Sequence, residues 1–240
     1  AIIQGYAESG VASVEALHGM FAFALYDQQQ QRLVLARDRL GIKPLYFASV
    51  DGAFYFASEI KALLAILPKQ PSIRDQAVAE FLQNQFSTGR DTVFEGIHRI
   101  LPGEYAVLCT KTLTVDFHRY WRATKVSPVE CDALTAQASF EQLFEQIMVE
   151  HMRSDVPFGL FLSGGIASSL ILAALHQWQD EKIRSYSVGY EGVALQDELG
   201  SAEALAAHFD TEHVSLKVSR DDLFDRIVHS IWSTDDLMRD

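Results

Sequence analysis

Seven consecutive residues, Ser163-Gly164-Gly165-Ile166-Ala167-Ser168-Ser169, hold the densest chemical capacity in this sequence. Two adjacent glycines let the backbone approach an anion with no Cβ in between, and the free N–H groups and dipole of a helix start favour negative charge. The three serines add hydroxyl donors. A phosphate chain is the ligand such a loop suits. The competing reading is a tight strand-to-helix turn capped by a serine, and these residues alone leave both open. The loop contains no Lys, which separates it from the G-x-x-x-x-G-K-[ST] phosphate loop. Nucleotide binding here would need a different class of loop.

Other reactive side chains read as structural. Arg37, Asp38, Arg39 and Lys43 fit a charged turn between two strands, with a local ion pair worth about 0–1 kcal/mol. Eight histidines, among them His208, His213 and His229, show no H-x-x-x-H pairing and no nearby Cys, so no zinc site is expected and no metal ligand is assigned. Cys109 lies in an expected strand, where a small buried hydrophobe is the usual role. His151 and Arg153 end an expected helix, where positive charge suits the dipole. None of these residues can be named as catalytic.

The phosphate loop needs a strand before it and a helix after it, and the pattern supplies both. Residues Phe158 to Leu162 read as a strand, and the helix that begins inside the loop runs to Trp178. A strand Ile183 to Val188, a helix Glu198 to Phe209, a strand His213 to Val218 and a helix Asp221 to Trp232 follow, after an earlier helix Leu134 to Arg153. Strands alternating with helices predict an α/β parallel sheet with right-handed crossovers. In such sheets ligands bind beyond the carboxyl ends of the strands. A phosphate-bearing ligand would then lie against Leu162, Ser163, Gly164, Gly165, Ser168 and Ser169, with Val188 at the neighbouring strand end.

The first half has a different rhythm. Phe21 to Tyr26, Arg32 to Ala36, Leu45 to Ala48 and Ala53 to Ala57 are short, aromatic and β-branched, with turn residues such as Asp51-Gly52 between them. A helix Ser58 to Leu67 carries Ile60, Leu63, Leu64 and Leu67 on one face. A last hairpin spans Gly103 to Leu108 and Leu113 to Phe117. This half is α+β and antiparallel. Ile2-Ile3 already read as the inside of a packed element. Around residues 122–136 the apolar period lapses, which marks a linker between domains 1–121 and 137–240.

Composition narrows the function classes. With 240 residues, 48% apolar, the chain can bury a real core. A formal net charge of -12 from 20 Lys and Arg against 32 Asp and Glu offers no footprint for a nucleic-acid backbone. The two cysteines, Cys109 and Cys131, make no disulfide framework and fit a reducing cytosol. No apolar stretch approaches the roughly 20 residues that cross a bilayer. The start lacks a basic segment leading into an apolar core, so no signal peptide is expected and a cytoplasmic, soluble protein is the default.

The loop resembles the Ser-Gly-Gly-x-Asp-Ser-Ser signature of the ATP pyrophosphatase loop in glutamine-hydrolysing asparagine synthetases, matching at six of seven places with the free position counted. Its flanks are similar in the same order: Ser154-Asp155-Val156-Pro157-Phe158-Gly159, Ser187-Val188-Gly189-Tyr190, Asp197-Glu198 and Glu212-His213. Asp235-Asp236 through Asp240 resembles an Asp-Glu-Pro-x-x-Asp segment, with Leu237 in place of the proline. In the first half, Gly19-Met20-Phe21-Ala22-Phe23-Ala24-Leu25-Tyr26-Asp27, Ala36-Arg37-Asp38-Arg39-Leu40-Gly41-Ile42-Lys43-Pro44-Leu45-Tyr46, Ala57-Ser58-Glu59-Ile60-Lys61-Ala62-Leu63 and Leu101-Pro102-Gly103 resemble the rear of the family's glutaminase domain.

The resemblance implies a partial N-terminal nucleophile hydrolase-like glutaminase domain over 1–121. It implies the front of an ATP pyrophosphatase (adenine nucleotide alpha hydrolase-like) synthetase domain over 137–240. Glutamine would supply ammonia, and ATP with Mg²⁺ would activate a carboxylate such as aspartate as an acyl-AMP, giving an amide, AMP and pyrophosphate. A homodimer is compatible with it. The family's N-terminal Cys, its arginine-bearing loop, its Asn-Gly segment and its Ser-Asp pair would precede Ala1, and a Ser-Gly-Glu-Gly-x-Asp-Glu loop would follow the last residue, so the chain reads as cut at both ends. Ala167 stands where the family has an aspartate that helps hold Mg²⁺ against the pyrophosphate part of ATP. Two alternatives stay open: a non-catalytic scaffold or assembly relative, and an amidotransferase or cyclase of the same family that acts on another carboxylate.

Overall fold

A computed structural model describes residues 1–178, 182–191 and 198–235. Asp197 and the segment Asp236 to Asp240, which carried part of the resemblance, lie outside the described residues. The chain divides into two compact units, Ala1–Pro128 with the residues from His229 onward, and Val129–Val228. Among the described residues no helix is long and apolar enough to cross a membrane.

The first unit contains two antiparallel sheets. Strands β1 (Ala22–Asp27), β2 (Arg32–Arg37), β6 (Glu104–Cys109) and β7 (Val115–Arg119) form one in the order β1-β2-β6-β7. Strands β3 (Tyr46–Val50), β4 (Ala53–Ala57) and β5 (Ile97–Arg99) form the other in the order β4-β3-β5. Asp51 and Gly52 both have positive φ, at 51° and 72°, the geometry that matches a two-residue turn to the twist of its strands. Alternation along β3 then divides the core. Phe47 joins Leu35, Leu45, Ile100 and Ala106 in one cluster, while Tyr46 and Ala48 face the other way, onto Ile97 and onto Ile60 and Leu63 of helix α2 (Ile60–Ile66).

Several expectations for this unit need correction. Ile2-Ile3 belong to helix α1 (Ile2–Ser9), which has no buried residue, and Ile3 is 79% exposed. Helix α3 (Asp75–Asn84) was not anticipated. Asp38 does not sit in a solvated turn, because it is fully buried. Its carboxylate accepts from the backbone N–H groups of Phe21 (3.3 Å), Leu40 (3.1 Å), Ile42 (3.0 Å) and Lys43 (3.0 Å). Arg37 donates to the carbonyls of Gly41, Lys43 and Ile100. These bonds to main-chain groups make both side chains part of the fold of the loop. Cys109 ends β6 only partly buried, and a hydrogen bond from Thr112 draws its thiol below the usual range.

The second unit has the alternating order read from the sequence. Helix α4 (Ala133–His151) starts inside the stretch read as a linker, where the Asp132 side chain accepts from Thr135 N–H at 2.8 Å. Strand β8 (Gly159–Phe161), helix α5 (Ile166–Trp178), strand β9 (Arg184–Tyr190), helix α6 (Glu198–His208), strand β10 (Glu212–Val218) and helix α7 (Arg220–Thr234), of which the residues up to Val228 belong to this unit, follow. The strands are parallel in the order β10-β9-β8. Met148 of α4, Leu172, Ala174 and Leu175 of α5, and Ala202 and Ala206 of α6 pack with Leu162 and Ile183 into one core.

That core covers one side of the sheet. Ser185 and Ser187 of β9 are buried, whereas Tyr186, Val188 and Tyr190, alternate residues on the opposite face, are exposed. Val214 and Leu216 of β10 stand in register with Tyr186 and Val188, and Phe161 of β8 pairs with Tyr186. These three are exposed as well. The sheet therefore has a buried face lined partly by serine and an open face lined by aromatic and branched side chains.

Candidate functional site

The loop between β8 and α5 begins at Leu162, which is 2% exposed in the core cluster and whose N–H donates to the Tyr186 carbonyl at 2.8 Å. The chain leaves the sheet at Ser163, which is exposed. The two glycines that follow have different jobs. Gly164 has φ 76°, and a Cβ there would come within 2.7 Å of Ser201 Cβ and 3.0 Å of Ala202 N on α6. Only glycine allows that left-handed turn and that approach. Gly165 lies outside the left-handed region, and a Cβ on it would meet nothing nearer than Ser163 Oγ at 3.4 Å. Its side of the loop is open.

Helix α5 starts at Ile166, so the geometry of a helix start leaves the N–H groups of Ile166, Ala167 and Ser168 without intrahelical acceptors. The first helical bond runs from Ser169 N–H to Gly165 O at 3.0 Å. Ser168 Oγ and Ser169 Oγ also donate to Gly165 O, at 3.1 and 2.8 Å, and Ser163 Oγ lies 3.2 Å from Ser168 Oγ. The hydroxyls thus knit the loop to the first turn of the helix. The residues from Leu162 to Ser169 include no charged side chain, so what the first turn offers an incoming anion is backbone N–H.

Beside the loop, at the carboxyl end of β8 and against the middle of β9, which runs on to Tyr190 beyond the strand end expected at Val188, is a hollow of about 310 Å³ lined by Phe161, Leu162, Ser163, Tyr186, Ser187, Val188 and Leu199. It brings Leu162, Ser163 and Val188 to one wall system, and Gly164, Gly165, Ser168 and Ser169 continue from it along the loop. Leu199 and Ser201 have no sign of their own in the sequence, and Ser187 enters there only within the Ser187-Val188-Gly189-Tyr190 resemblance. A signal for α6 existed in Gly189, where a Cβ would stand 2.3 Å from Leu199 Cδ1: a glycine inside a strand marks a close approach by another element. A larger hollow of about 1160 Å³ adjoins α1 and β1, but its Tyr6, Asp27 and the neighbouring Arg32 bond one another, with Tyr6 Oη donating to Asp27 and accepting from Arg32, both at 2.9 Å. Among the described residues no group of three or more His, Cys, Asp or Glu is placed to hold a metal ion.

Residues 1–121 match the glutamine amidotransferase domain family, and residues 139–240 match the asparagine synthase family. Asparagine synthetase [glutamine-hydrolyzing] 1 of Bacillus subtilis is 31% identical over 226 residues, covering 93% of this chain and 35% of that protein. The amidase chyE of Penicillium rubens is 27% identical over 251 residues, covering 98% of this chain and 36% of its own length. The solved glutamine phosphoribosylpyrophosphate amidotransferase of B. subtilis aligns with a TM-score of 0.33 and 13% identity over 92% of this chain and 62% of that one, a likeness too low to carry an argument about shape. The chain spans about a third of the length of the curated relatives it matches. With a glutamine amidotransferase match over its first half and an asparagine synthase match over its second, the chain belongs to the glutamine-hydrolysing asparagine synthetase family.

Proposed function

We propose that the chain is part of a glutamine-dependent, ATP-consuming enzyme that forms an amide from a carboxylate, with aspartate the default acceptor. In this reading residues 1–121 are the rear of an N-terminal nucleophile hydrolase-like glutaminase domain and residues 137–240 the front of an ATP pyrophosphatase-type domain. The observation that carries it is the loop Ser163 to Ser169 at the carboxyl end of a parallel strand, open on the Gly165 side and flanked by the hollow against Val188. The triphosphate would lie on the N–H groups of Ile166, Ala167 and Ser168, and the base would enter the hollow.

The chemistry follows from what those groups favour. A carboxylate oxygen attacks the α-phosphorus of ATP, and the bond to the β-phosphate oxygen breaks. Pyrophosphate leaves with negative charge gathering on it. Preorganised N–H donors at the first turn of α5 stabilise that charge more as it develops, which lowers the barrier. Ammonia then attacks the acyl carbon of the acyl-AMP and AMP departs.

Mg²⁺ does not fit this loop. Magnesium bound with a nucleotide is usually held by one or two protein carboxylates together with phosphate oxygens and water, and the residues from Leu162 to Ser169 include none. Ala167 presents a methyl group at that point, so no step is assigned to the metal. This favours a second reading, a relative that holds the nucleotide but turns it over slowly or only as part of a scaffold.

Calorimetric titration with ATP, with and without Mg²⁺, separates the two. The wild-type chain is expected to bind ATP with little magnesium dependence, and Ala167→Asp to gain about tenfold or more in affinity when Mg²⁺ is added, the effect of one charge-assisted contact. Absence of ATP binding by the wild type would sink the nucleotide reading. Strong magnesium dependence in the wild type would show that a residue outside the loop carries the metal and that Ala167 is no impediment.

A further inference from the structure

We propose that Ser187 is a positioning residue for the nucleotide loop: its hydroxyl holds the Leu162 carbonyl and so sets how far β8 and β9 part at the mouth of the hollow. The inference rests on the nucleotide reading above and adds a residue which that reading does not use. In a parallel ladder the N–H and C=O of one residue reach to different residues of the neighbouring strand. Pairing of β8 with β9 ends at Phe161 and Tyr186, and Leu162 is one step further on. Its N–H keeps the ladder rhythm by donating to the Tyr186 carbonyl. Its C=O instead accepts from the Ser187 side chain.

A side chain thus occupies the last acceptor before the loop. Past that point β9 continues to Tyr190, paired with β10, while the other chain turns away at Ser163. The hollow opens where they diverge, between Leu162, Ser163 and Val188. Ser187 is 4% exposed and Leu162 2%, so their bond is shielded from water, and the carbonyl could not replace its partner with solvent without moving. Movement of Leu162 carries Ser163 and Gly164 with it.

The same strand provides an internal control. Ser185 is two residues earlier on the same buried face and is fully buried. Its hydroxyl lies 2.7 Å from Thr211 Oγ1 and 2.8 Å from His213 Nδ1, toward β10 and away from the loop. Two buried hydroxyls of one strand therefore differ in which neighbour they fix.

The test is calorimetric titration of ATP into the whole chain carrying Ser187→Ala, Ser187→Thr or Ser185→Ala, with thermal unfolding recorded for each. Ser187→Ala is expected to weaken ATP binding about tenfold, and Ser187→Thr, which keeps the hydroxyl, to remain within about threefold of wild type. Ser185→Ala should lower the unfolding temperature yet leave ATP affinity within about twofold. If Ser187→Ala does not fold, Ser187→Cys, a weaker donor of similar size, takes its place with the same expected loss. ATP affinity unchanged in the Ser187 variant overturns the proposal and leaves the nucleotide reading standing. Equal losses in the Ser187 and Ser185 variants, following their unfolding temperatures, also overturn it, because the hydroxyl is then only structural. A wild-type chain that binds no ATP overturns both together.

Discussion

The two adjacent glycines of the loop should respond to substitution in opposite ways. Gly164→Ala places a methyl group 2.7 Å from Ser201 Cβ and 3.0 Å from Ala202 N, at φ 76°. The left-handed conformation costs a non-glycine residue about 1–2 kcal/mol, and forced contact with groups fixed to a helix backbone adds about 1–3 kcal/mol. A loss of about 2–5 kcal/mol from the second unit is expected. Gly165→Val meets neither penalty, since its Cβ has only Ser163 Oγ within reach at 3.4 Å. Stability should change by about 1 kcal/mol or less. The valine side chain instead fills the open side and keeps an anion off the helix N–H groups. Losing one such charge-assisted bond weakens ATP binding about 10-fold to 100-fold. Because the chain has two units and need not unfold in one step, hydrogen exchange at the amides of α5 under increasing urea is the suitable stability measurement, with calorimetry for ATP. Reversal of the pattern would refute the reasoning: a Gly164→Ala chain as stable as wild type, or a Gly165→Val chain that binds ATP as tightly as wild type.

Two predictions concern the first unit. Asp38→Asn exchanges one carboxylate oxygen for an NH₂ group facing two N–H donors, so two charge-assisted bonds are lost and the unit should be destabilised by about 3–6 kcal/mol in urea unfolding; a change below about 1 kcal/mol would contradict the buried-carboxylate account. Tyr120, whose Oη donates to the Arg37 carbonyl at 2.8 Å, has its phenol pushed up to about 12 by burial first and the Asp38 charge second, against a smaller lowering by Arg39. A folded-state value above the unfolded one of about 10 means that its contribution to stability is complete below pH 10 and is lost as pH rises through 12. Ultraviolet titration should show a last phenolate step near pH 12 that Tyr120→Phe removes.

The alternation of strands and helices in the second half was legible because short runs rich in branched and aromatic residues are separated there by longer runs of helix-forming residues, and its expected limits differ from the observed ones by a few residues at most. Helix α3 was legible as well, since Ala77, Val78, Phe81 and Leu82 stand at helical spacing, although only Ala77 is buried and Val78 and Leu82 face outward. The Asp38 loop was misread because a run of charges is usually a solvated turn, and Asp is seldom fully buried. Gly41, with φ 69° three residues after Asp38, was the available sign that the chain curls around a carboxylate. In the candidate site the glycines and serines were readable from type and spacing. Ser187 was not, because a serine alternating with Tyr186 and Val188 looks the same whether its hydroxyl faces water or a strand end. Which neighbour a buried hydroxyl reaches is decided by strand order and register, neither of which one strand's residues reveal.

The open face of the parallel sheet has a practical consequence for every titration named here. Phe161, Tyr186, Val188, Tyr190, Val214 and Leu216 form a contiguous apolar surface on adjacent strands. Each Å² of such surface kept in water costs roughly 25 cal/mol, and surfaces of this kind collect other apolar groups. At the protein concentrations calorimetry requires, the chain should self-associate and take up fluorescent apolar dyes, and kosmotropic salts such as sulfate should strengthen both effects. Val188 belongs at once to this face and to the hollow beside the loop, so association would compete with nucleotide. Apparent ATP affinity is therefore expected to fall as protein concentration rises, and affinities for the variants are comparable only when measured at matched, dilute concentration.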